Sequence, residues 1–146
     1  MPGLAINPAG THLYVVESTL PGISRVPIVN GQPGPREIVV MLPGTVPDGI
    51  AFDEQGGLFI SCYRPDRVYY LTCNKKLRQA ADDFQGTQLA APTNVAFAPH
   101  TSDLYVANFA RWHISAIETE SEGMLLRYPS TFWGWGVDSR DLPLSN

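Results

Sequence analysis

An acidic residue between a proline and a glycine is the first feature of this 146-residue sequence that could do chemistry. Asp48 stands in the motif Pro47-Asp48-Gly49, directly before the apolar run 50–52. A carboxylate at the start of a strand can bind a hard cation or exchange a proton with a substrate. Aspartate before glycine is also a common turn residue, so turn capping by Asp48 is the alternative interpretation.

Other polar side chains occur where predicted strands meet loops. Thr93 and Asn94 occupy the positions of a later segment that correspond to Asp48 and Gly49. Five such residues are candidates for lining a pocket near Asp48. The alternative is that they form turns or cap the ends of strands. They are Ser18, Ser61, Thr93, Asn94 and Asn108. No histidine has a serine or cysteine partner at a spacing that indicates a nucleophilic triad.

These residues belong to a repeat of 45 to 46 residues. Gly3, Gly49 and Asn94 are separated by 46 and 45 residues, and the leucines at 13, 58 and 104 by 45 and 46. Repeats of about 40–50 residues built from short strands are typical of propeller blades. The sequence therefore predicts an all-β fold of three four-stranded blades at about 2–46, 47–91 and 92–128, followed by a tail at 129–146.

Hydrophobic runs and turn residues predict four strands in each blade. The predicted strands are 3–6, 13–17, 24–28 and 37–42, then 49–52, 58–62, 67–71 and a weak outer strand within 77–84, then 94–97, 103–108, 113–117 and 124–128. Asn30-Gly31 predicts a type I′ hairpin turn, because both of its central positions need positive φ. We interpret Trp112, Trp133 and Trp135 as core or interface residues.

Composition and charge narrow the choice of partners. The chain is 44% hydrophobic and 16% charged, with 13 glycines and 13 prolines, which suits short strands joined by tight turns. A net charge of −4 argues against nucleic acid or an anionic membrane surface as partner. No apolar run approaches the roughly 20 residues that a membrane helix needs.

Cys62 and Cys73 are the two cysteines. A hairpin that turns near residues 64–66 pairs Cys62 with Arg67 and leaves Cys73 beyond the strand. We therefore expect free thiols and a reducing, cytoplasmic location.

Three blades would leave two apolar flanks in water, because each blade covers its faces with its neighbours. Propellers have about four to eight blades. We expect either a homodimer that completes a six-bladed ring or a fragment of a longer chain.

The motifs in these repeats resemble the gluconolactonase/regucalcin (senescence marker protein) family. Residues 47–53, PDGIAFD, followed by 56–61, GGLFIS, are similar to its penultimate blade. Residues 4–8 with 13–18 resemble the blade before it, and 92–97 with 104–107 resemble the last one. The resemblance covers about residues 2–128, which would be the C-terminal three blades of the family's propeller.

The resemblance implies a six-bladed propeller with one divalent metal, usually calcium, with zinc or magnesium as alternatives. It implies hydrolysis of sugar lactones or related esters, with the metal polarising the carbonyl and a carboxylate handling protons. Asp48 matches the family's metal-binding and catalytic aspartate, whereas the metal-binding asparagine falls on Pro2 and the first-blade glutamate has no counterpart. The alternative is a non-catalytic propeller fragment that acts as a binding or self-assembling module.

Overall fold

The computed structural model describes residues 3–98 and 101–124, and this part of the chain is built of β-strands joined by turns. The strands form three antiparallel sheets that follow one another along the sequence. Sheet 1 contains β1 (Leu4–Ile6), β2 (His12–Glu17), β3 (Gly22–Val29), β4 (Gln32–Pro33) and β5 (Glu37–Met41). Sheet 2 contains β6 (Val46–Phe52), β7 (Leu58–Arg64), β8 (Arg67–Leu71) and β9 (Leu77–Asp82). Sheet 3 contains β10 (Pro92–Phe97), β11 (Asp103–Asn108) and β12 (His113–Glu118).

Each sheet is an up-and-down meander whose first strand lies at one edge. The strand order is β1-β2-β3 with β5 beside β3 in sheet 1, β6-β7-β8-β9 in sheet 2 and β10-β11-β12 in sheet 3. The prediction of an all-β fold in repeated sheets is confirmed. The strand predicted at 124–128 lies outside the described residues apart from Met124, and so does the tail at 129–146.

The turn at Asn30-Gly31 has the geometry that its sequence predicts. Both residues have positive φ, 52° at Asn30 and 74° at Gly31, and they connect the pairs Val29↔Gln32 and Ile28↔Pro33. The sequence did not indicate the two-residue strand β4 that this turn creates. The outer strand of sheet 2, Leu77–Asp82, lies within the range 77–84 in which a weak strand was predicted.

The core lies in two layers, one on each side of sheet 2. Between sheets 1 and 2 the buried side chains are Val16, Ile23, Leu42, Ile50, Phe52, Leu58, Ile60, Cys62 and Leu71. Between sheets 2 and 3 they are Phe59, Val68, Leu89, Val95, Leu104 and Val106. Every residue from Leu58 to Cys62 is buried, because sheet 2 is covered on both faces. Trp112 is 85% exposed and takes no part in this core, so of the two predicted roles the core role is excluded and the interface role stays a prediction.

The three first strands lie side by side at their beginnings. A Cβ atom at Gly3 would lie 2.9 Å from the Asp48 carbonyl oxygen, and one at Gly49 would lie 2.5 Å from the Asn94 Cα. Only a residue without a side chain allows two backbones to approach so closely. The repeat-equivalent positions of the sequence therefore meet at one edge, as they do around the axis of a propeller.

The hairpin between β7 and β8 pairs Cys62 with Arg67, as predicted. Both cysteines are free thiols, with Cys62 buried and Cys73 exposed. The described residues contain no helix of the length and hydropathy needed to cross a membrane.

Candidate functional site

Asp48 lies on a β-bulge at the start of β6. Pro47 pairs with Cys62 and Gly49 pairs with Ser61, so Asp48 is the extra residue on its strand and has no opposite partner. A bulge of this kind interrupts the ladder and redirects a side chain, and bulges are enriched beside active sites. The local backbone therefore removes the Asp48 side chain from the regular alternation of the sheet.

Thr93 occupies the same kind of bulge in sheet 3. Pro92 pairs with Asn108 and Asn94 pairs with Ala107, which leaves Thr93 as the extra residue. Its hydroxyl donates a hydrogen bond of 3.3 Å to the Ala107 carbonyl. The two bulges are brought together by the close approach of Gly49 to Asn94 and to the Thr93 carbonyl oxygen.

Two serines hold the backbone on either side of Asp48. Ser18 Oγ, which comes from sheet 1, donates to the Pro47 carbonyl at 2.8 Å. Ser61 Oγ accepts a hydrogen bond from the Gly49 amide at 3.0 Å and donates to the Gly49 carbonyl at 3.3 Å. The Gly3 amide donates to the carbonyl of Asp48 itself at 2.6 Å. The backbone around this carboxylate is thus fixed from its own sheet and from the neighbouring one.

The Asp48 carboxyl group is half-buried, and its burial raises its pKa above the ordinary value for aspartate. Removal from water disfavours the charged form of an acid. Within the part of the chain that the structure describes, no hydrogen-bond donor offsets this effect. A raised pKa makes a carboxylate a stronger base, which favours a role in proton transfer.

The structure brings Ser18, Ser61, Thr93 and Asn94 to the edge that carries Asp48, through the contacts given above. Asn94 Oδ1 accepts a hydrogen bond from the Val95 amide at 2.9 Å, a local bond of the kind expected of a turn residue. Asn108 is buried and has a different setting. Its Oδ1 accepts from the Ala90 amide at 2.8 Å, and its Nδ2 donates to Ser115 Oγ at 2.9 Å. Its amide therefore anchors the segment that leads from sheet 2 into sheet 3.

A complete metal site requires more ligands than these residues supply. Among the described residues, no three histidine, cysteine or acidic side chains converge as a metal site would require. Calcium takes six to eight oxygen ligands, and zinc is usually held by three or four side chains. Asp48 can supply one ligand, so the described part of the chain does not fit a metal ion by itself.

An aromatic row lies along the same edge and was not predicted from the sequence. The rings of Tyr63 and Phe109 are 6.3 Å apart, and those of Phe109 and Trp112 are 5.7 Å apart. Phe109 and Trp112 are 55% and 85% exposed. Tyr63 immediately follows Cys62, the partner of Pro47, and the Phe109 amide donates to the Ala91 carbonyl just before β10. The repeat could have indicated this row, because Tyr63 and Phe109 occupy the same position in their repeats as Ser18 does in the first repeat.

Consecutive antiparallel meanders that meet at their first strands are the arrangement of blades in a β-propeller. The family described as SMP-30/Gluconolactonase/LRE-like region matches residues 2–110, well over half of the chain. The chain belongs to this family, as its motifs predicted. Among curated proteins, none matches the sequence at a significant level.

Solved structures resemble the fold at low sequence identity. A gluconolactonase from Xanthomonas campestris aligns with a TM-score of 0.62 and 22% identity over 73% of this chain and 34% of its own. A structure described as a putative gluconolactonase aligns with a TM-score of 0.68 and 22% identity over 86% of this chain and 40% of its own. A chain of a nidogen/laminin complex aligns with a TM-score of 0.68 and 20% identity over 84% of this chain and 46% of its own. At such identities the likeness shows the fold, and this chain spans less than half the length of these structures.

Proposed function

We propose that this chain forms half of a six-bladed propeller that hydrolyses sugar lactones or related carboxylic esters, with Asp48 as the proton-carrying carboxylate. Membership of the SMP-30/gluconolactonase family supports the reaction class and favours it over a purely non-catalytic binding module. The observation that carries the proposal is the position of Asp48. Its side chain stands on a bulge at the shared edge, its backbone is fixed by two serines, and its pKa is raised by burial.

Hydrolysis of a lactone requires a water proton to be removed and a ring oxygen to be protonated. In the proposed reaction the Asp48 carboxylate accepts a proton from water as the water oxygen bonds to the carbonyl carbon. The carbon–oxygen bond of the ring then breaks, and Asp48 returns the proton to the departing ring oxygen. The product is an open-chain hydroxy acid, and the carboxylate is regenerated. General acid–base catalysis of this kind contributes about 10²–10⁴-fold in rate.

We also propose that Asp48 is one ligand of a divalent cation, calcium first and zinc or magnesium as alternatives. Because the described residues supply this single ligand, the others have to come from elsewhere in the assembled protein. A bound cation would stabilise negative charge on a substrate oxygen. Calcium at millimolar concentration should raise the melting temperature of the wild type and leave that of Asp48→Asn unchanged. An equal response of the two proteins would contradict the ligand role.

The free thiols support the proposal of a reducing, cytoplasmic location. The acidic balance of the chain supports a small-molecule partner over a nucleic acid or an anionic membrane. We therefore choose a small molecule, an uncharged lactone, as the substrate for the test.

The hydrolase proposal is tested with gluconolactone in the presence of calcium, zinc or magnesium. Asp48→Asn and Asp48→Ala should each lower the enzyme-dependent rate by about 10²-fold or more. Glu54→Gln is the matched control, because Glu54 is an exposed acid in the turn at the opposite end of β6. Its rate should equal that of the wild type. Equal rates for the wild type and Asp48→Asn, or no hydrolysis by the wild type, would contradict the proposal.

A further inference from the structure

The aromatic row of Tyr63, Phe109 and Trp112 lies at the end of the sheets that carries Asp48. Tyr63 is near the end of β7, which pairs with the start of β6. Phe109 and Trp112 are the first and last residues of the turn between β11 and β12. The row therefore stands beside the proposed site, on the two hairpins that follow the inner strands of sheets 2 and 3.

One carboxylate connects the two hairpins. Asp66 Oδ1 accepts a hydrogen bond from Arg64 Nη1 at 3.0 Å and another from the Ala91 amide at 2.6 Å. The Ala91 carbonyl in turn accepts from the Phe109 amide at 3.1 Å. These bonds run from the turn after β7, through the segment before β10, to the turn after β11. The backbone beneath Tyr63 and Phe109 is therefore held in place before a ligand binds, which lowers the entropy lost on binding.

Trp112 has two features that the stability of the fold does not explain. Its φ is 54°, in the left-handed region where a bulky side chain is strained, and the residue is 85% exposed. Asparagine or glycine would occupy this turn position at a lower cost. Strained residues cluster at active sites and ligand clamps. A large apolar ring that is both strained and exposed beside a candidate site points to a role in ligand binding.

The row offers aromatic faces next to a guanidinium group. Tyr63 and Phe109 are tilted by 48°, and Phe109 and Trp112 by 42°, so neighbouring rings do not cover one another face to face. The Arg64 guanidinium carbon lies 4.9 Å from the centre of the Tyr63 ring. Arg64 Nη1 donates to the Tyr63 carbonyl and to Asp66, which uses two of the five N–H groups of a guanidinium. The Arg64 side chain is 55% exposed, so further donors can reach a ligand.

A sugar ring has the complementary chemistry. Its C–H groups form an apolar face that packs on the electron-rich face of an aromatic ring, and its hydroxyl oxygens accept hydrogen bonds at the edges. An aliphatic or aryl ligand would use the rings and leave the Arg64 guanidinium without an acceptor. A cationic ligand would be repelled by the same group. The combination of exposed rings and an exposed guanidinium therefore favours a saccharide.

We propose that the aromatic row is a subsite for a second sugar ring, so that the substrates are lactones of disaccharides or longer saccharides. A single sugar ring covers about one aromatic ring, and the three rings of the row extend well beyond that. The lactone ring lies at Asp48, and the next sugar packs on Phe109 and Trp112 while Arg64 donates to its hydroxyl groups. The inference rests on the proposed function for the reacting end alone, and it adds the identity of the attached group.

Equilibrium binding tests the subsite without turnover. The ligands are cellobionate, the acid formed from a disaccharide lactone, and gluconate, which lacks the second ring. The wild type should bind cellobionate at least about 10-fold more tightly in an NMR titration. Trp112→Asn should remove this preference and leave the affinity for gluconate unchanged. Because asparagine tolerates the left-handed region, the melting temperature of this variant should not fall.

Phe109→Ser is the second variant, because it removes the central ring and keeps the backbone amide that bonds to Ala91. It should also remove the preference for cellobionate. Leu20→Asn is the matched control, since Leu20 is 59% exposed in the corresponding turn of sheet 1 and lies outside the row. Its affinities for both ligands should equal those of the wild type.

Equal binding of the two acids by the wild type, or no binding of cellobionate, would overturn the proposal. A preference that survives in both Trp112→Asn and Phe109→Ser would also overturn it. A lower melting temperature of Trp112→Asn would show that the indole packs against protein, with the same consequence. A wild type that prefers cellobionate but hydrolyses neither lactone would contradict the hydrolase proposal and leave the subsite standing. Hydrolysis of gluconolactone without a preference for cellobionate would exclude the subsite alone.

Discussion

Gly49 and Asn94 are in backbone contact where the first strands of sheets 2 and 3 begin. A Cβ atom at Gly49 would lie 2.5 Å from the Asn94 Cα and 2.7 Å from its Oδ1. The φ angle of Gly49 is not in the left-handed region, so this glycine is required by close approach and not by its own dihedral angles. The contact sets the spacing between the Asp48 and Thr93 bulges.

Gly49→Ala should destabilise the fold by about 3 kcal/mol, because the opposing atom is backbone and cannot rotate away. The free energy of unfolding from urea titration gives this value. Gly10→Ala is the control, since Gly10 has a φ of 69° with nothing within 4 Å of the added carbon. It should cost about 1 kcal/mol from dihedral strain alone. An equal effect of the two substitutions would contradict the close contact of sheets 2 and 3.

Ser61→Ala should destabilise the protein by about 1–3 kcal/mol, because the buried Gly49 amide loses its hydrogen-bond acceptor. Ser18→Ala removes a donor to the part-buried Pro47 carbonyl and should cost about 1 kcal/mol or less. Urea titration measures both. Both variants should also lower the lactonase rate without abolishing it, since Asp48 remains while its backbone is held less firmly. A Ser61→Ala variant as stable as the wild type would show that water replaces the hydroxyl.

Asp48→Asn should stabilise the fold near pH 7, by less than about 1 kcal/mol because the group is partly exposed. The folded-state pKa of Asp48 is raised by burial, so its contribution to stability is fully present below the unfolded pKa of about 3.9. It is lost as the pH rises through the folded-state pKa. The wild type and Asp48→Asn should therefore converge in melting temperature near pH 3 and diverge towards pH 7, without added metal. A variant that is less stable than the wild type at pH 7 would mean that the carboxylate has a favourable partner.

Thiol titration should distinguish the two cysteines. Burial raises the pKa of Cys62 to about 11, and the side chain is enclosed between sheets 1 and 2, whereas Cys73 is exposed. Because the thiolate is the reactive form, a disulfide reagent at pH 8 should modify one thiol per folded chain and two after denaturation. Cys73→Ser should abolish the fast reaction, and Cys62→Ser should leave it intact. Rapid modification of both thiols in the native protein would show that the interface between sheets 1 and 2 opens.

The repeat in the sequence predicted most of the strands because it is written in local patterns. Apolar runs such as Leu58–Arg64 alternate with turn residues, and the Asn30-Gly31 turn needs only the dihedral preferences of two residues. The bulge at Asp48 was not predicted. It depends on which residues of β7 pair with Pro47 and Gly49, and that register belongs to two strands together.

Asn108 and Trp112 also show that local sequence patterns do not determine the surroundings of a side chain. Asn108 was considered for a pocket because it ends a strand, yet its side-chain amide bonds to the Ala90 backbone, 18 residues earlier, and to Ser115 in the adjacent strand. Trp112 was assigned to the core or an interface from its type alone, and the fold leaves it 85% exposed. Side-chain partners across sheets are not encoded in the spacing of one segment.

The sequence by itself determined the repeat, the strands and the family, because local hydrophobic patterns and motifs carry that information without reference to distant residues. The tertiary structure decided which faces are covered, how Ser18 and Ser61 hold the backbone beside Asp48, and that the described residues leave this carboxylate without a hydrogen-bond donor. These features arise from contacts between sheets, and they exist only once the three sheets are packed side by side.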